Sequence, residues 1–408
     1  MRVTTLFNKL LHLQGLWVIG FYFLGEDLVL RVQPRRRRLT CPHCGVSRTG
    51  KVSERQRRWR HLGIWSRVVW IEGPIRRLFC RQCDRTVTEA VPWARHDSDF
   101  TRPFEDAVGL MAQRTDHTAV SQLFAISWVT VGSIARRLVD ELLDPERLTN
   151  LRRIAVDEIS FRKRHRYLTV VTDHDTGDVV WAAEGQTSDV LKAFFRSLPP
   201  GVCEAIEVVT MDMSAAYQKA VRDNLPNAVI AFDHFHIVKL ANEALNEVRR
   251  ELSREVRATD PDLGKAVKGM RWPTSYALEN LPERQVELLG LIRPQSKLGR
   301  AYLLKEQLRE VLRQPSSRVT GALRSWIAWA SRSRLAPFVR LGRTIRKCLP
   351  GIVAFVQHRL TNALAEGTNN KIRLISHRAF GFHSAPPLIA TVYLCCGGIK
   401  LTQPLHLL

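Results

Sequence analysis

The chain has 408 residues, 45% of them hydrophobic, and a formal net charge of +23. That apolar content excludes wholesale disorder, and no apolar run reaches the roughly 20 residues that a bilayer crossing needs. A chain this basic repels its own copies and calls for a polyanionic partner, nucleic acid before an anionic membrane surface.

Residues 1–34 read as short strands. The run LWVIGFYFL at 16–24 resembles the apolar part of a signal peptide, but it contains Gly20, lacks a small-residue cleavage site and runs into Glu26 and Asp27. A hairpin turning at 25–27 is expected instead, in a cytoplasmic protein. Arg35, Arg36, Arg37 and Arg38 then interrupt the apolar pattern. Two CxxC pairs follow, Cys41 with Cys44 and Cys80 with Cys83. Between them lies a basic, tryptophan-containing segment with strand-like alternation at 68–71.

The spacing predicts helices over 103–113, 119–124 and 129–143, with Thr118 capping the second, a turn at Ile126 and Ser127, and Pro145 ending the third. From 151 to 256 the pattern changes to strands at 154–157, 167–173, 179–184, 206–212 and 229–233. Helices are expected at 188–198 and, behind a Ser214 cap, at 215–224. Three consecutive strands followed by helix and strand predict a mixed α/β sheet. Residues 257–355 are rich in Leu, Arg and Glu and read as a helical insertion, with Trp326 and Trp329 as helix core. Helices over 360–375 and 387–399 close the chain. The expected domains are 1–95, 100–146, 151–256, 257–355 and 356–408, with the last returning to the α/β core.

The two CxxC knuckles are the clearest metal signal. Each points two thiolates at one ion, and four sulfurs favour a closed, structural tetrahedral zinc site. The bland alternative is two chance pairs of reduced core cysteines. Around them lie Arg35, Arg36, Arg37, Arg38, Arg55, Arg57, Arg58, Arg60, Arg76 and Arg77, with Trp59 and Trp65. Arginine forks suit phosphate oxygens, although charge runs are commonly just solvated faces. The helices at 118–143 fit a helix-turn-helix. Trp128, Thr130, Ser133, Arg136 and Arg137 would then lie on or near the groove-facing helix, a pattern that ordinary three-helix units share.

Asp157 and Asp212 each end an apolar strand, and Glu366 lies far away in a helix with Asn362 and Asn370 at spacing four and Asn369 adjacent. A helix docked on the sheet edge would bring Glu366 to the two aspartates. Three gathered carboxylates repel, which divalent cations relieve. Two such ions would activate an attacking oxygen and stabilise the leaving oxygen of a phosphodiester. Singly, each acid is unconvincing: Glu158 competes with Asp157, and Asp173 and Asp233 also end strands. Asp233, His234 and His236 have the chemistry of a second metal site, with packing of the histidines as the simpler account. Lys371 and Arg373 suit phosphates or a solvated face equally well.

Taken together, these strings resemble the ISL-three family of bacterial insertion-sequence transposases. They are Cys41-Pro42-His43-Cys44, Arg58-Trp59-Arg60-His61-Leu62, Cys80-Arg81-Gln82-Cys83, Val156-Asp157-Glu158, Arg162-Lys163-Arg164-His165 with Tyr167, Met211-Asp212, Asp233-His234-Phe235-His236, the stretch 362–373 and Ala379-Phe380-Gly381-Phe382. The resemblance covers almost the whole chain. It implies a multidomain protein with a small β-rich zinc domain, a helix-turn-helix and an RNase H-like α/β core interrupted by an all-helical insertion. It implies Asp157, Asp212 and Glu366 as ligands of two Mg2+ or Mn2+ ions, and structural Zn2+ at the cysteines. It also implies action on the element's terminal inverted repeats, by strand cleavage and transfer, with a homodimer or higher assembly on DNA and no membrane. The rival readings are a DNA-binding regulator whose core is only a scaffold, and a nuclease that does not transpose.

Overall fold

The computed structural model describes residues 3–11, 13–162, 166–276, 278–358, 363–378, 382 and 384–401. The chain divides into two units, Met1–Asp144 with Ile375–Leu408, and Pro145–Leu374.

The first unit opens with a helix, α1 (Val3–Leu11), where strands were expected. Val3, Leu6, Phe7, Leu10 and Leu11 recur at helical spacing. Asn8 fixes the helix to the sheet, accepting from the Val18 amide at 2.9 Å and donating to the Val18 carbonyl at 3.1 Å. The expected hairpin is present: β1 (Leu16–Leu24) pairs antiparallel with β2 (Asp27–Pro34), and Gly25 supplies the turn at φ 62°. β3 (Leu39–Thr40) and β4 (Ser47–Arg48) form a small ribbon. The basic segment then forms two long antiparallel strands, β5 (Ser53–Ile64) and β6 (Arg67–Cys80), and β7 (Arg85–Thr88) pairs with β6. Period-two alternation buries Trp59 and His61 on β5, and Val69, Ile71 and Ile75 on β6. The sheet order is β1-β2-β6-β5, with β2 and β6 parallel.

Three helices follow, α2 (Arg102–Arg114), α3 (His117–Phe124) and α4 (Trp128–Leu142). Asp116, not Thr118, caps α3, accepting from the Thr118 and Ala119 amides. A carboxylate one residue earlier satisfies two orphan amides, which the Thr118 hydroxyl, inside the first turn, does not. Ala125 adopts the left-handed conformation, Ser127 caps α4, and α3 and α4 meet at 103°. Phe104, Val108, Val120, Val131, Ile134 and Leu138 form the core. The C-terminal helix, Ala385–Cys396, belongs to this bundle and not to the α/β core where the sequence places it. Leu394 joins the bundle core, and Gln113 donates to the Leu394 and Ile399 carbonyls.

The second unit contains a five-stranded sheet of order β10-β9-β8-β11-β12, from β8 (Arg153–Arg162), β9 (Arg166–Asp173), β10 (Val179–Glu184), β11 (Val208–Met211) and β12 (Val229–Phe232). β8, β9 and β10 are antiparallel, while β11 runs parallel to β8 and to β12. Helices α5 (Ser188–Ser197), α6 (Val202–Ala205) and α7 (Ala215–Asn224) connect the strands. Ser214 stands at the N-cap of α7 without the expected side-chain bond. From α8 (His234–Arg257) through α9 (Pro261–Gly269), α10 (Arg271–Ser275), α11 (Glu283–Gly290), α12 (Lys297–Leu312), α13 (Ser316–Arg332) and α14 (Ala336–Gln357) the described residues contain helices and no strand; the sequence places the start of this stretch at 257, whereas α8 begins it at His234. Gly351 lets α14 lie on β12, since a Cβ there would meet the Phe232 ring at 2.5 Å. Trp326 is buried and donates to the Leu304 carbonyl, but Trp329 is 38% exposed and is not core. Helix α15 (Ala363–Arg378) carries Glu366 in its first turn. Among the described residues no single helix is long and apolar enough to cross a membrane.

Candidate functional site: an acidic cleft, a cysteine cluster and a helix-turn-helix

Asp157 does not end its strand. β8 continues to Arg162, pairing Asp157 with Val170 of β9, whereas the parallel partner β11 pairs only as far as Thr210 opposite Ala155. Beyond that point β8 has a strand on one side only, so Asp157 faces a gap at the sheet edge. Asp212 directly follows β11, and its Oδ1 accepts from the Ser214 amide at 2.9 Å. Asp233 directly follows β12 and caps α8, accepting from the Phe235 amide at 2.8 Å. Asp157, just past the last β8 residue paired with β11, thus lies at the same edge as Asp212 and Asp233, which follow the ends of the parallel strands β11 and β12, the usual side for a site in such a sheet.

Asp157, Asp212, Asp233, His236, Glu366, Asn369 and Arg373 line one cleft. The structure therefore brings the three expected acids to the same cleft. It does not draw them tightly together: among the described residues, the four cysteines are the one group of three or more such donors whose ligand atoms all lie within 4.8 Å of one another. Carboxylates without a counter-ion repel, and Asp157 has another partner, since Asn369 donates to its Oδ2 at 2.6 Å. Burial pushes the Asp157 carboxyl above its ordinary range, and Asp212 adds to this. The Glu158 amide, His236 and Arg373 act in the opposite sense. Hard oxygen donors around a desolvated carboxylate fit a divalent cation such as Mg2+ or Mn2+.

Glu158, the competitor, does not line the cleft; burial raises its pKa, and it interacts with Tyr217. His234 packs against Phe355 with ring centroids 4.3 Å apart, and burial lowers its pKa. His236 lines the cleft, its Nε2 4.0 Å from Asp233 Oδ2. Asn370 is exposed while Asn369 is buried, so the contact to Asp157 comes from the asparagine adjacent to the spacing-four set and not from Asn370. Lys371 is exposed, and Arg373, also exposed, lines the cleft and donates to Asn370. Asn362, residues 163–165 and residues 379–381 lie outside the described residues.

The four cysteines converge as the knuckle spacing predicts. Cys41 Sγ lies 3.9 Å from Cys83 Sγ, and Cys44 Sγ lies 3.4 Å from Cys80 Sγ. A tetrahedron with Zn–S of about 2.3 Å needs sulfurs roughly 3.8 Å apart. Four crowded thiols cannot all ionise without a cation. Despite burial, the backbone N–H groups of Cys44 and His43 bring Cys41 down to about 6, while Cys44, burial and the other two sulfurs push Cys83 up to about 12. The donor set fits structural zinc.

Several expected DNA-contacting side chains have partners within the first unit. Arg137 donates to Glu105, which is fully buried and also bonded to Arg95 and Ser98. Trp128 packs against His117 and Phe382, and the Thr130 hydroxyl bonds the capping Ser127. Ser133 is half-buried and Arg136 is exposed. Arg58 pairs with Glu72 and Tyr22, and Arg60 reaches the Ala125 carbonyl. Arg35 stacks on Trp17 and donates to the Leu16 carbonyl, while Arg36, Arg37 and Arg38 are exposed. Arg35, Arg36 and Arg38 line a groove with Trp93.

Comparison with known proteins bears on all three regions. Residues 154–392 match the family model of a DDE transposase of the ISL3 type, described as "Transposase". Residues 89–139 match the helix-turn-helix domain of transposase family ISL3, and residues 37–83 match the zinc-finger of transposase IS204/IS1001/IS1096/IS1165. The chain is 37% identical to the transposase for insertion sequence element IS1557 of Mycobacterium tuberculosis, over 99% of this chain and 98% of that one. It is 30% identical to the transposase for IS1001 of Bordetella parapertussis, over 88% of this chain and 89% of that one.

Proposed function

The chain belongs to the ISL3 family of DDE transposases, DNA-binding enzymes that cleave and transfer DNA strands with a divalent metal, and on that premise we propose that the acidic cleft is its catalytic centre. The observation that carries the assignment is the meeting of Asp157, Asp212 and Glu366, distant in sequence, in one cleft at the edge of the sheet. Asp157, Asp212 and Glu366 would hold two Mg2+ or Mn2+ ions. Such ions supply charge neutralisation on a phosphodiester and activation of the attacking oxygen.

The residues of this chain perform the positioning. Asp157 and Asp212 are each held by a backbone amide, which fixes their carboxylates on β8 and just past the end of β11. Arg373 places positive charge on the cleft lining, where it can bind a phosphate oxygen of the strand to be cut. Water attacks the phosphodiester at the element end, and the freed 3′-hydroxyl attacks a second one. No covalent protein–DNA bond is needed, so no nucleophilic serine or tyrosine is assigned.

The sheet order, with three antiparallel strands followed by two parallel ones, supports an RNase H-like core, and the helices from α8 to α14 support a helical insertion before the Glu366 helix. The zinc module and helix-turn-helix would read the terminal inverted repeats, with Arg36, Arg37, Arg38 and Arg136 the side chains best placed to meet phosphates. Two ends must be joined, which calls for a homodimer or larger assembly on DNA.

The test uses duplex DNA from the flanks of the gene. Asp157→Asn is expected to abolish strand cleavage while leaving end binding intact in a gel-shift assay. Cleavage that survives this substitution contradicts the assignment.

A further inference from the structure

We propose that Asn369 is a positioning residue that latches the Glu366-bearing helix onto Asp157; the inference rests on the catalytic assignment above. Asn369 is 8% exposed, whereas Glu366, Gly367, Asn370 and Lys371 around it are exposed. Its Nδ2 donates to Asp157 Oδ2 at 2.6 Å, and the other carboxylate oxygen accepts from the Glu158 amide at 2.8 Å. With both oxygens held, the Asp157 carboxylate cannot rotate. One step earlier on α15, the Thr368 hydroxyl donates to the Gly177 carbonyl at 2.9 Å, in the turn between β9 and β10. Glu366 and Asn369 are three residues apart and share a helix face. The contact that seats Asn369 therefore sets where Glu366 stands relative to Asp157.

A neutral amide suits this post better than a cation. Lysine or arginine would cancel the charge that a metal ion needs, whereas asparagine donates one hydrogen bond and leaves the carboxylate ionised. Each Asp157 oxygen retains a second lone pair, so the carboxylate can take a cation without losing either bond. Partners of this kind, one bond removed from a metal, typically change affinity or activity by about 10–100-fold when deleted.

The test uses the full zinc-loaded chain and Mn2+ alone as the probe, following the melting temperature as Mn2+ is titrated. Asn369→Leu, near in size but without a donor, is expected to raise the Mn2+ concentration for half-maximal stabilisation about 10–100-fold. In an Asp157→Asn background the same substitution is expected to cause no further change in the Mn2+ response. A purely structural role would instead lower the metal-free melting temperature in both backgrounds and leave the Mn2+ midpoint in place, which overturns the proposal. Should Asn369→Leu not fold, Asn369→Gln, which keeps the donor on a longer arm, carries the test. A smaller rise in the midpoint supports the latch, and a midpoint within twofold of the native chain overturns it. If Asp157→Asn responds to Mn2+ like the native chain, the catalytic assignment fails. If it does not respond and the Asn369 variants do so normally, the latch alone fails.

Discussion

Replacing Glu105 by glutamine removes one charge from the middle of the helix-turn-helix unit with almost no change of shape. Glu105 is fully buried and accepts from Arg137 Nε at 2.8 Å, Arg95 Nη1 at 3.3 Å and Ser98 Oγ at 2.6 Å. Breaking a buried ion pair from one side costs about 3–5 kcal/mol, because the remaining charge stays desolvated. Two observations reduce that figure. Arg95 keeps Asp106 at 2.8 Å and Glu141 at 2.5 Å, and the Arg137 side chain is 22% exposed and can turn toward water. The expected loss is therefore about 2–3 kcal/mol, or roughly 5–10 °C in the melting temperature of a unit of this size. Scanning calorimetry of the zinc-loaded chain measures it. Asp99→Asn is the control: its pair with Arg57 is short, at 2.7 Å, but Asp99 is 75% exposed, so its loss costs less than about 1 kcal/mol. A Glu105→Gln melting temperature within about 1 °C of the native chain would show that the buried carboxylate contributes no such stabilisation.

Atomic emission is expected to find one zinc per chain, lost in Cys80→Ser together with amide-exchange protection around 39–48 and 80–88; unchanged protection in zinc-free protein contradicts the assignment. His61 is held neutral by burial, its pKa lowered to about 4, and its Nδ1 lies 2.7 Å from Thr101 Oγ1. Because the folded value lies below the ordinary 6.5, this stabilisation, about 3 kcal/mol by linkage, is present above pH 6.5 and lost as pH falls toward 4. His61→Asn should flatten that part of the melting-temperature profile, and an unchanged slope assigns the acid sensitivity elsewhere. Changing Arg36, Arg37 and Arg38 together to alanine should weaken end-DNA binding and reduce its salt slope by up to about three. An unchanged slope would show that these side chains touch no phosphates.

The cysteine cluster and the sheet strands were the most legible features, because CxxC spacing and β-branched alternation translate directly into geometry. The acids were legible only in outline. Asp157 interrupts an apolar run and so reads as a strand end, whereas pairing with β9 carries the strand through it to Arg162. Helical spacing grouped Glu366 with Asn370, but it is Asn369 that the docking of α15 turns toward the sheet. Arg137 looks free in sequence because its partner, Glu105, is 32 residues away on another helix. For the same reason the destination of the C-terminal helix was hidden: it depends on an apolar face present near residues 104–138, not on local pattern. The opening helix is a different case, since its apolar residues at 3, 6, 7, 10 and 11 already keep helical and not alternating spacing, which the reading of 1–34 as strands passes over.

As proposed, Asp157, Asp212 and Glu366 gather divalent cations in the cleft at the sheet edge. Anomalous scattering from a crystal of the full chain grown with Mn2+ tests it most directly. Manganese peaks are expected within ligand distance of all three carboxylates. Manganese bound elsewhere, with the cleft unoccupied in protein that cleaves DNA under the same conditions, would contradict it.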